Sequence, residues 1–389
     1  MKPFYLPVLA AVTLIFSCTG RKTGIDCTIE RVSALSVEQC LAMGESLDSL
    51  SMPRTFQDGK LVTSDLKWWC SGFFPGTCWY SYMLSGDARV RDLAWQKTEL
   101  MLDVDSYFTQ HDIGFQVMCS VAMAYRNTAD KRCLDAIRRA AGLLASRYNA
   151  NVGAIRSWDS PKYSCPVIID NMMNLELLTF ASREFGVPEW AEMAVSHADR
   201  TMENHFRADG SSYHVVDYDP DDGRIIKKQT HQGYSDESSW SRGQAWGLYG
   251  FTMMYRETGL ERYLKQAEKI AHYLLPLLAD DPVPAWDLSA PAPSSTQKDA
   301  SAAAIMASAF LELGRLTNDR ELSEECIRQA GDIILELAGP VYLAGKGELG
   351  GFLLKHCTGF YSRGSEVDVP LTYADYYFLE AICRYRGLI

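Results

Sequence analysis

The sequence predicts an all-α fold, a closed (α/α)6 barrel of six helical hairpins. Three observations carry that prediction. Six segments are apolar on most faces, six charged amphipathic stretches alternate with them, and the unit recurs at roughly 60 residues. The apolar segments are Ser71–Gly86, Asp112–Thr128, Asp170–Gly186, Ser241–Gly259, Ala300–Asn318 and Asp368–Gly387. Helices apolar all round are buried ones. Most of these end on Gly or Asn, residues that tolerate the left-handed backbone of a helix stop. The stretches Val37–Leu50, Asp87–Phe108, Asp130–Tyr148, Pro188–Phe206, Leu260–Leu278 and Asp319–Leu337 carry apolar residues three and four apart, the spacing of a half-buried helix. An open solenoid would use the same units; a closed ring places the apolar helices inside and satisfies the pattern best. Strand-like alternation is confined to a possible ribbon near Ser212–Lys227. The Pro-rich stretch Pro282–Pro293 reads as a loop, so residues 33–389 form one domain.

The first 17 residues read as a processing signal. Lys2 supplies the positive end, and Leu6 to Phe16 form an apolar run too short to span a bilayer. The run closes on Ile15-Phe16-Ser17-Cys18, which resembles the lipobox of bacterial lipoproteins. Lipidation of Cys18, a tether over residues 18–32 and a membrane-anchored periplasmic location are the expectations. An ordinary secretory signal is the alternative.

Composition narrows the function. The chain of 389 residues is 47% hydrophobic and 22% charged, with a formal net charge of -11. Nucleic-acid binding needs a basic face and is excluded. An anionic substrate would find no long-range attraction here, so a few local cations must capture it. Ten cysteines besides Cys18 form no C-x-x-C pair and have no His at metal-ligand spacing, so neither a zinc site nor any other metal or cofactor is expected. Cys119 and Cys383 sit in apolar patterns and read as small hydrophobes. Disulfide pairing stays open, and no obligate protein partner is expected.

If the six inner helices run parallel, their N-termini converge on one end of the barrel. Two of these starts carry an Asp. Asp112 opens the second inner helix in His111-Asp112-Ile113-Gly114-Phe115, and Asp170 opens the third between Val167-Ile168-Ile169 and Met172-Met173. Capping is the bland reading of either. It suits Asp170 less well, because an apolar collar raises a carboxyl pKa and a second carboxylate across a pocket raises it further. A carboxyl still protonated near neutrality is what a general acid needs. The fourth start holds Arg242 where the helix dipole favours anions. Binding of a carboxylate by Arg242 and the helix terminus is one explanation; a salt bridge to Asp236 or Glu237 is the other. Trp69 would complete an aromatic wall.

These segments resemble the unsaturated glucuronyl hydrolases, a family of (α/α)6-barrel enzymes. The matching pieces are W-C-S-G-F-F-P-G at 69–76, H-D-I-G-F at 111–115, I-I-D-N-M-M-N at 168–174, H-Q-G-Y at 231–234 and W-S-R-G-Q-A-W-G at 240–247. Asp299 with the S-A-A-A-I ending at Ile305, and the long run at 364–381, complete seven motifs in order. The resemblance implies that Asp170 is the catalytic acid and base and that Asp112 assists it. It implies that His214, Gln232, Trp240 and Arg242 contact substrate, that Trp69 and Trp246 line the pocket, and that Tyr361 joins them. Tyr361 lies in Phe360-Tyr361-Ser362-Arg363, which departs from the pattern and leaves sulfate preference open. The implied reaction releases a 4,5-unsaturated uronic acid from the non-reducing end of lyase-generated, glycosaminoglycan-type oligosaccharides by hydrating the C4=C5 bond. An unsaturated rhamnogalacturonyl hydrolase acting on pectin fragments is the nearest alternative. A sugar epimerase lacks support, since no paired histidines stand at inner-helix starts. A non-catalytic sugar-binding lipoprotein would gain nothing from an acid in an apolar collar.

Overall fold

The structure, a computed structural model, describes residues 24–389. Fourteen α-helices follow one another in it: α1 (Gly24–Ser46), α2 (Phe73–Ser85), α3 (Ala88–Glu99), α4 (Val104–Tyr107), α5 (Ile113–Met118), α6 (Val121–Thr128), α7 (Lys131–Ala145), α8 (Leu175–Phe185), α9 (Pro188–Asn204), α10 (Ser241–Thr258), α11 (Glu261–Leu274), α12 (Ala300–Leu316), α13 (Arg320–Leu337) and α14 (Thr372–Tyr385). Helices α2, α5–α6, α8, α10, α12 and α14 each pack against the next, and α14 returns to α2. The ring is closed, as an (α/α)6 barrel requires. Helices α1, α3, α7, α9, α11 and α13 lie outside it.

Side-chain size explains the two layers. In α12 every residue from Ala300 to Gly314 is buried, and most are Ala or Ser, which let neighbouring helices come close. Gly250 of α10 shows how close: a Cβ there would lie 2.4 Å from the Cβ of Met172. Outer helix α7 buries a single stripe, Cys133, Ala136, Ile137, Ala140, Ala141 and Leu144, the 3.6-residue period read as one face.

The two ends of the barrel are unlike. Each of the first five inner helices passes to the following outer helix through two or three residues. Gly86, Gly186 and Gly259 make three of these turns in the left-handed conformation. The fourth such stop is Ala129 at φ 56°, where an L side chain is strained. At the other end, every outer helix reaches the next inner one through a long connection. These connections hold all the described strands, in antiparallel pairs 52–57 with 60–64, 148–149 with 154–155 and 357–360 with 365–369, and a three-stranded sheet of 165–168, 215–218 and 225–229. The ribbon expected near Ser212–Lys227 is thus present, with a third strand paired to it.

Four boundaries differ from the sequence reading. Residues 24–32, expected in a tether, are the first turns of α1. Ile29 and Val32 are buried there, and Arg31 donates to the Ala338 carbonyl at 2.7 Å. The second inner helix is broken between Met118 and Val121. The third begins as a tight 3-10 turn, Ile169–Asn174. The sixth begins at Thr372 rather than Asp368, because residues 365–369 pair as a strand and Pro370 follows. Cys18 and residues 1–17 lie outside the described residues. The cysteines among the described residues are free, all buried except Cys27.

Midway along the axis the barrel is filled by rings. Phe73, Phe115, Trp246, Tyr376 and Tyr377 are all buried, with centroid separations of 4.9–6.0 Å between neighbours. Beyond them, toward the short turns, Arg126, Arg256 and Arg384 alternate with Glu176 and Glu312 at 2.6–3.1 Å. Glu380 accepts from Tyr80, Tyr249 and Ser308 there.

Candidate active site

The long connections enclose a cleft of about 350 Å³ over the inner-helix N-termini, and Asp112 and Asp170 both line it. The strand 165–168 delivers Asp170 to the tight turn that follows, and Ile169 N–H anchors that turn on the His214 carbonyl at 3.0 Å. Neither Asp acts as a cap. Asp112 occupies the N-cap position of α5 but makes no capping bond, and Asp170 lies inside its turn.

Burial dominates the electrostatics of both. It pushes Asp170 from 3.8 up to about 7, with Arg242 pulling down and the Asp112 charge pushing up. Asp112 is also pushed up to about 7 by burial, against a smaller pull from Arg147. The indole N–H of Trp246 reaches Asp170 from beneath and favours its anion. The second oxygen, Oδ2, has no hydrogen-bond partner among the described residues, and His214 Nε2 stands 3.6 Å from it. The orientation of His214 is fixed by chemistry. Its Nδ1 accepts the backbone N–H groups of His231 and Gln232 at 3.3 and 3.1 Å, so the proton of the neutral ring sits on Nε2, facing Asp170. Trp240 stacks on the imidazole at 4.4 Å.

Arg242 overturns one of the two explanations offered for it, the salt bridge to Asp236 or Glu237. It is buried, and its partner is neither Asp236 nor Glu237, which pair with Lys227 and Arg207. Its Nη1 donates to Asp299 Oδ2 at 2.8 Å and to the Thr358 carbonyl at 2.5 Å, and its Nη2 donates to the Gly359 carbonyl at 2.6 Å. Asp299 also caps α12 through Ser301. Gln232 Nε2 donates to the same Gly359 carbonyl at 3.0 Å. Arg242 and Gln232 therefore hold the 357–360 strand over the site, and both still line the cleft.

The remaining expected residues divide. Trp69 lines the cleft, packed on Tyr373 at 5.0 Å. Trp246 is fully buried and lies beneath the lining, reaching it only through Asp170. His214 and Trp240 stand behind the lining, touching it through Asp170 and Arg242. Tyr361 turns away and stacks on Trp286 at 4.5 Å, outside the cleft. Its neighbour Phe360 lines the cleft instead, against His231 at 5.1 Å. Sequence reasoning missed Arg54, Trp158 and Glu366. Arg54 Nε pairs with Glu366 Oε1 at 2.5 Å across two hairpins, and Trp158 packs on His231 at 5.4 Å. All three lie in long connections without periodicity; an aromatic beside polar turn residues was the signal at Trp158, and a place in the 364–381 run was the signal at Glu366. His111 and His231 were inside quoted motifs but given no role.

The model of "Glycosyl Hydrolase Family 88" matches residues 49–312. The chain belongs to glycosyl hydrolase family 88. An unsaturated glucuronyl hydrolase of Formosa agariphila is 42% identical over 326 residues, 82% of this chain and 80% of that protein. The crystal structure of an unsaturated glucuronyl hydrolase specific for heparin, 42% identical, superposes with a TM-score of 0.90 over 93% of this chain and 98% of that one. The enzyme of Bacillus sp. GL1, described as responsible for the degradation of glycosaminoglycan, is 30% identical and superposes with a TM-score of 0.86 over 92% and 97%. This member of the family is accordingly a glycosidase of the unsaturated glucuronyl hydrolase type.

Proposed function

We propose that this glycosidase removes a 4,5-unsaturated uronic acid from the non-reducing end of lyase-generated, glycosaminoglycan-type oligosaccharides, with Asp170 as proton donor. One observation carries the assignment of the acid: Asp170 is buried in the cleft lining, pushed up to about 7, with one oxygen bare of partners. A carboxyl group poised there is protonated for much of the working pH range, and its place in the cleft lining puts it within reach of a bound sugar. The unsaturated ring is a vinyl ether. Proton transfer from Asp170 to C4 leaves an oxocarbenium ion at C5, and the Asp170 carboxylate then takes a proton from the water that adds at C5. The hemiketal so formed opens to a C5 ketone, and the hemiacetal left at C1 expels the leaving sugar. Asp112, on the same cleft, orients the water. The His214 Nε2–H steadies the Asp170 anion after transfer.

The reaction has a signature that an ordinary glycosidase lacks. Alkene absorbance in the ultraviolet vanishes as product forms, and in heavy-oxygen water early label enters at C5 rather than C1. Early label at C1, or cleavage of the saturated disaccharide, would overturn the hydration route. Asp170→Asn lowers turnover on the order of 10²–10⁴-fold. A panel of heparin, chondroitin, hyaluronan and pectin fragments identifies the substrate; heparin fragments come first, since the 42% identical structural neighbour is named for heparin. Turnover of pectin fragments alone would move the enzyme to the rhamnogalacturonyl class. Ile15-Phe16-Ser17-Cys18 supports export and lipidation at Cys18. Cys18→Ala then releases the protein from membranes, and wild-type protein free in periplasmic extract would remove the anchor.

A further inference from the structure

The H-D-I-G-F and I-I-D-N-M-M-N motifs contain more than their two acids. His111 is 1% exposed, and Asn171 and Asn174 are fully buried. Their hydrogen bonds form a chain whose direction is forced at each link. The Phe115 N–H can only donate, and it lies 2.8 Å from the side-chain oxygen of Asn174. That assigns the Asn174 amide, so the atom 3.2 Å from His111 Nδ1 is its NH2 group, which can only donate. The Asn171 amide is assigned likewise, because its NH2 meets the Ile155 carbonyl at 2.8 Å; its oxygen then accepts from Asn174 at 3.3 Å. His111 Nδ1 is therefore an acceptor, and the proton of the neutral imidazole sits on Nε2. Nε2 faces Asp112 Oδ1 at 3.5 Å, while Gln110 Nε2 donates to Asp112 Oδ2 at 2.9 Å. Gly114 makes room for this arrangement, since a Cβ there would lie 2.4 Å from the Asn174 side-chain oxygen.

We propose that His111 is a positioning residue for Asp112, its tautomer set by Asn174, and that Asn174 thereby ties the turn carrying Asp112 to the turn carrying Asp170. The two acids come from different inner helices, and nothing covalent near the site fixes their separation. One amide bridges them. Its oxygen holds the start of α5, its nitrogen sets the donor aimed at Asp112, and its own backbone closes the turn that begins at Asp170. Displacing a reacting group by an ångström costs on the order of 10²-fold in rate, so this bridge acts on turnover more than on binding. The inference rests on the reading of Asp112 and Asp170 as the reacting pair.

Two substitutions separate the roles of the ring nitrogens. A Gln side chain places its amide where Nε2 was, and an Asn side chain places it where Nδ1 was. His111→Asn lowers kcat on the order of 10²-fold with KM little changed, and His111→Gln recovers most of that loss. Equal activity of the two variants, or a loss confined to KM, overturns the proposal. Nitrogen-15 spectra of histidine-labelled wild-type enzyme, with the His111 signals assigned by their absence in His111→Gln, read the tautomer directly. Protonated Nε2 and bare Nδ1 are expected; the opposite tautomer overturns the proposal even where a variant fails to fold. Asp112→Asn is measured alongside. A crippled Asp112→Asn with an unimpaired His111→Asn refutes the positioning role alone, whereas an unimpaired Asp112→Asn refutes the reacting pair.

Discussion

Replacing Asp170 by Asn removes the proposed acid, and the same change makes the protein more stable in a way that depends on pH. Folding raises the Asp170 carboxyl from 3.8 to about 7. A raised carboxyl binds its proton more tightly folded than unfolded, so its contribution falls as pH climbs from 3.8 through 7 and is level above that. At about 1.36 kcal/mol per unit, the cost to the wild type is about 1.6 kcal/mol at pH 5 and about 4 kcal/mol at pH 8. Asn does not titrate, so whatever desolvation it suffers is the same at both pH values. The stability of Asp170→Asn relative to wild type therefore rises by about 2.5 kcal/mol between pH 5 and pH 8. Asp112 is present in both proteins and cancels. Guanidinium unfolding curves at the two pH values measure the difference. A relative stability that is flat with pH, or that falls as pH rises, refutes the claim that burial holds this carboxyl protonated.

Three further outcomes are expected. The alkaline limb of kcat/KM lies near pH 7 and falls tenfold per unit above it, and Asp112→Asn moves that limb to lower pH, because the Asp112 charge pushes Asp170 up; pH–rate profiles on the residual activity check this. Arg242→Ala leaves the buried Asp299 carboxylate without its cation, a loss of about 3–5 kcal/mol that thermal unfolding detects as well as activity. Gly250→Ala forces a methyl against Met172 and costs about 1–3 kcal/mol, seen as a lower melting temperature.

Periodicity made the barrel legible, because a helix apolar on every face has one place to go. Five of the six expected inner segments start within a few residues of the observed helices, and the sixth was displaced by a strand that alternation alone did not betray. The two acids were legible because an Asp among Ile and Met has no cheap local explanation. Arg242 was offered the wrong partners for the opposite reason. Its partner Asp299 stands 57 positions away, and no local pattern announces a pair that forms only when α10 and α12 dock. Trp246 and Trp69 look alike in sequence, and depth along the axis alone separates the ring beneath the lining from the ring within it. Tyr361 and Phe360 are adjacent, so one turn of backbone decides which ring reaches the cleft.

The rings that fill the axis beneath Asp170 make the cleft a blind alley. A polysaccharide cannot thread through the barrel, so only a chain terminus reaches the acid, and whatever enters must back out by the same mouth. The severed end and the shortened oligosaccharide compete for one exit, and the new terminus carries no alkene with which to start again. Each encounter thus yields one cut. Throughput follows the number of free termini in solution rather than the mass of polymer, and an upstream activity that makes many short pieces sets the pace of this one.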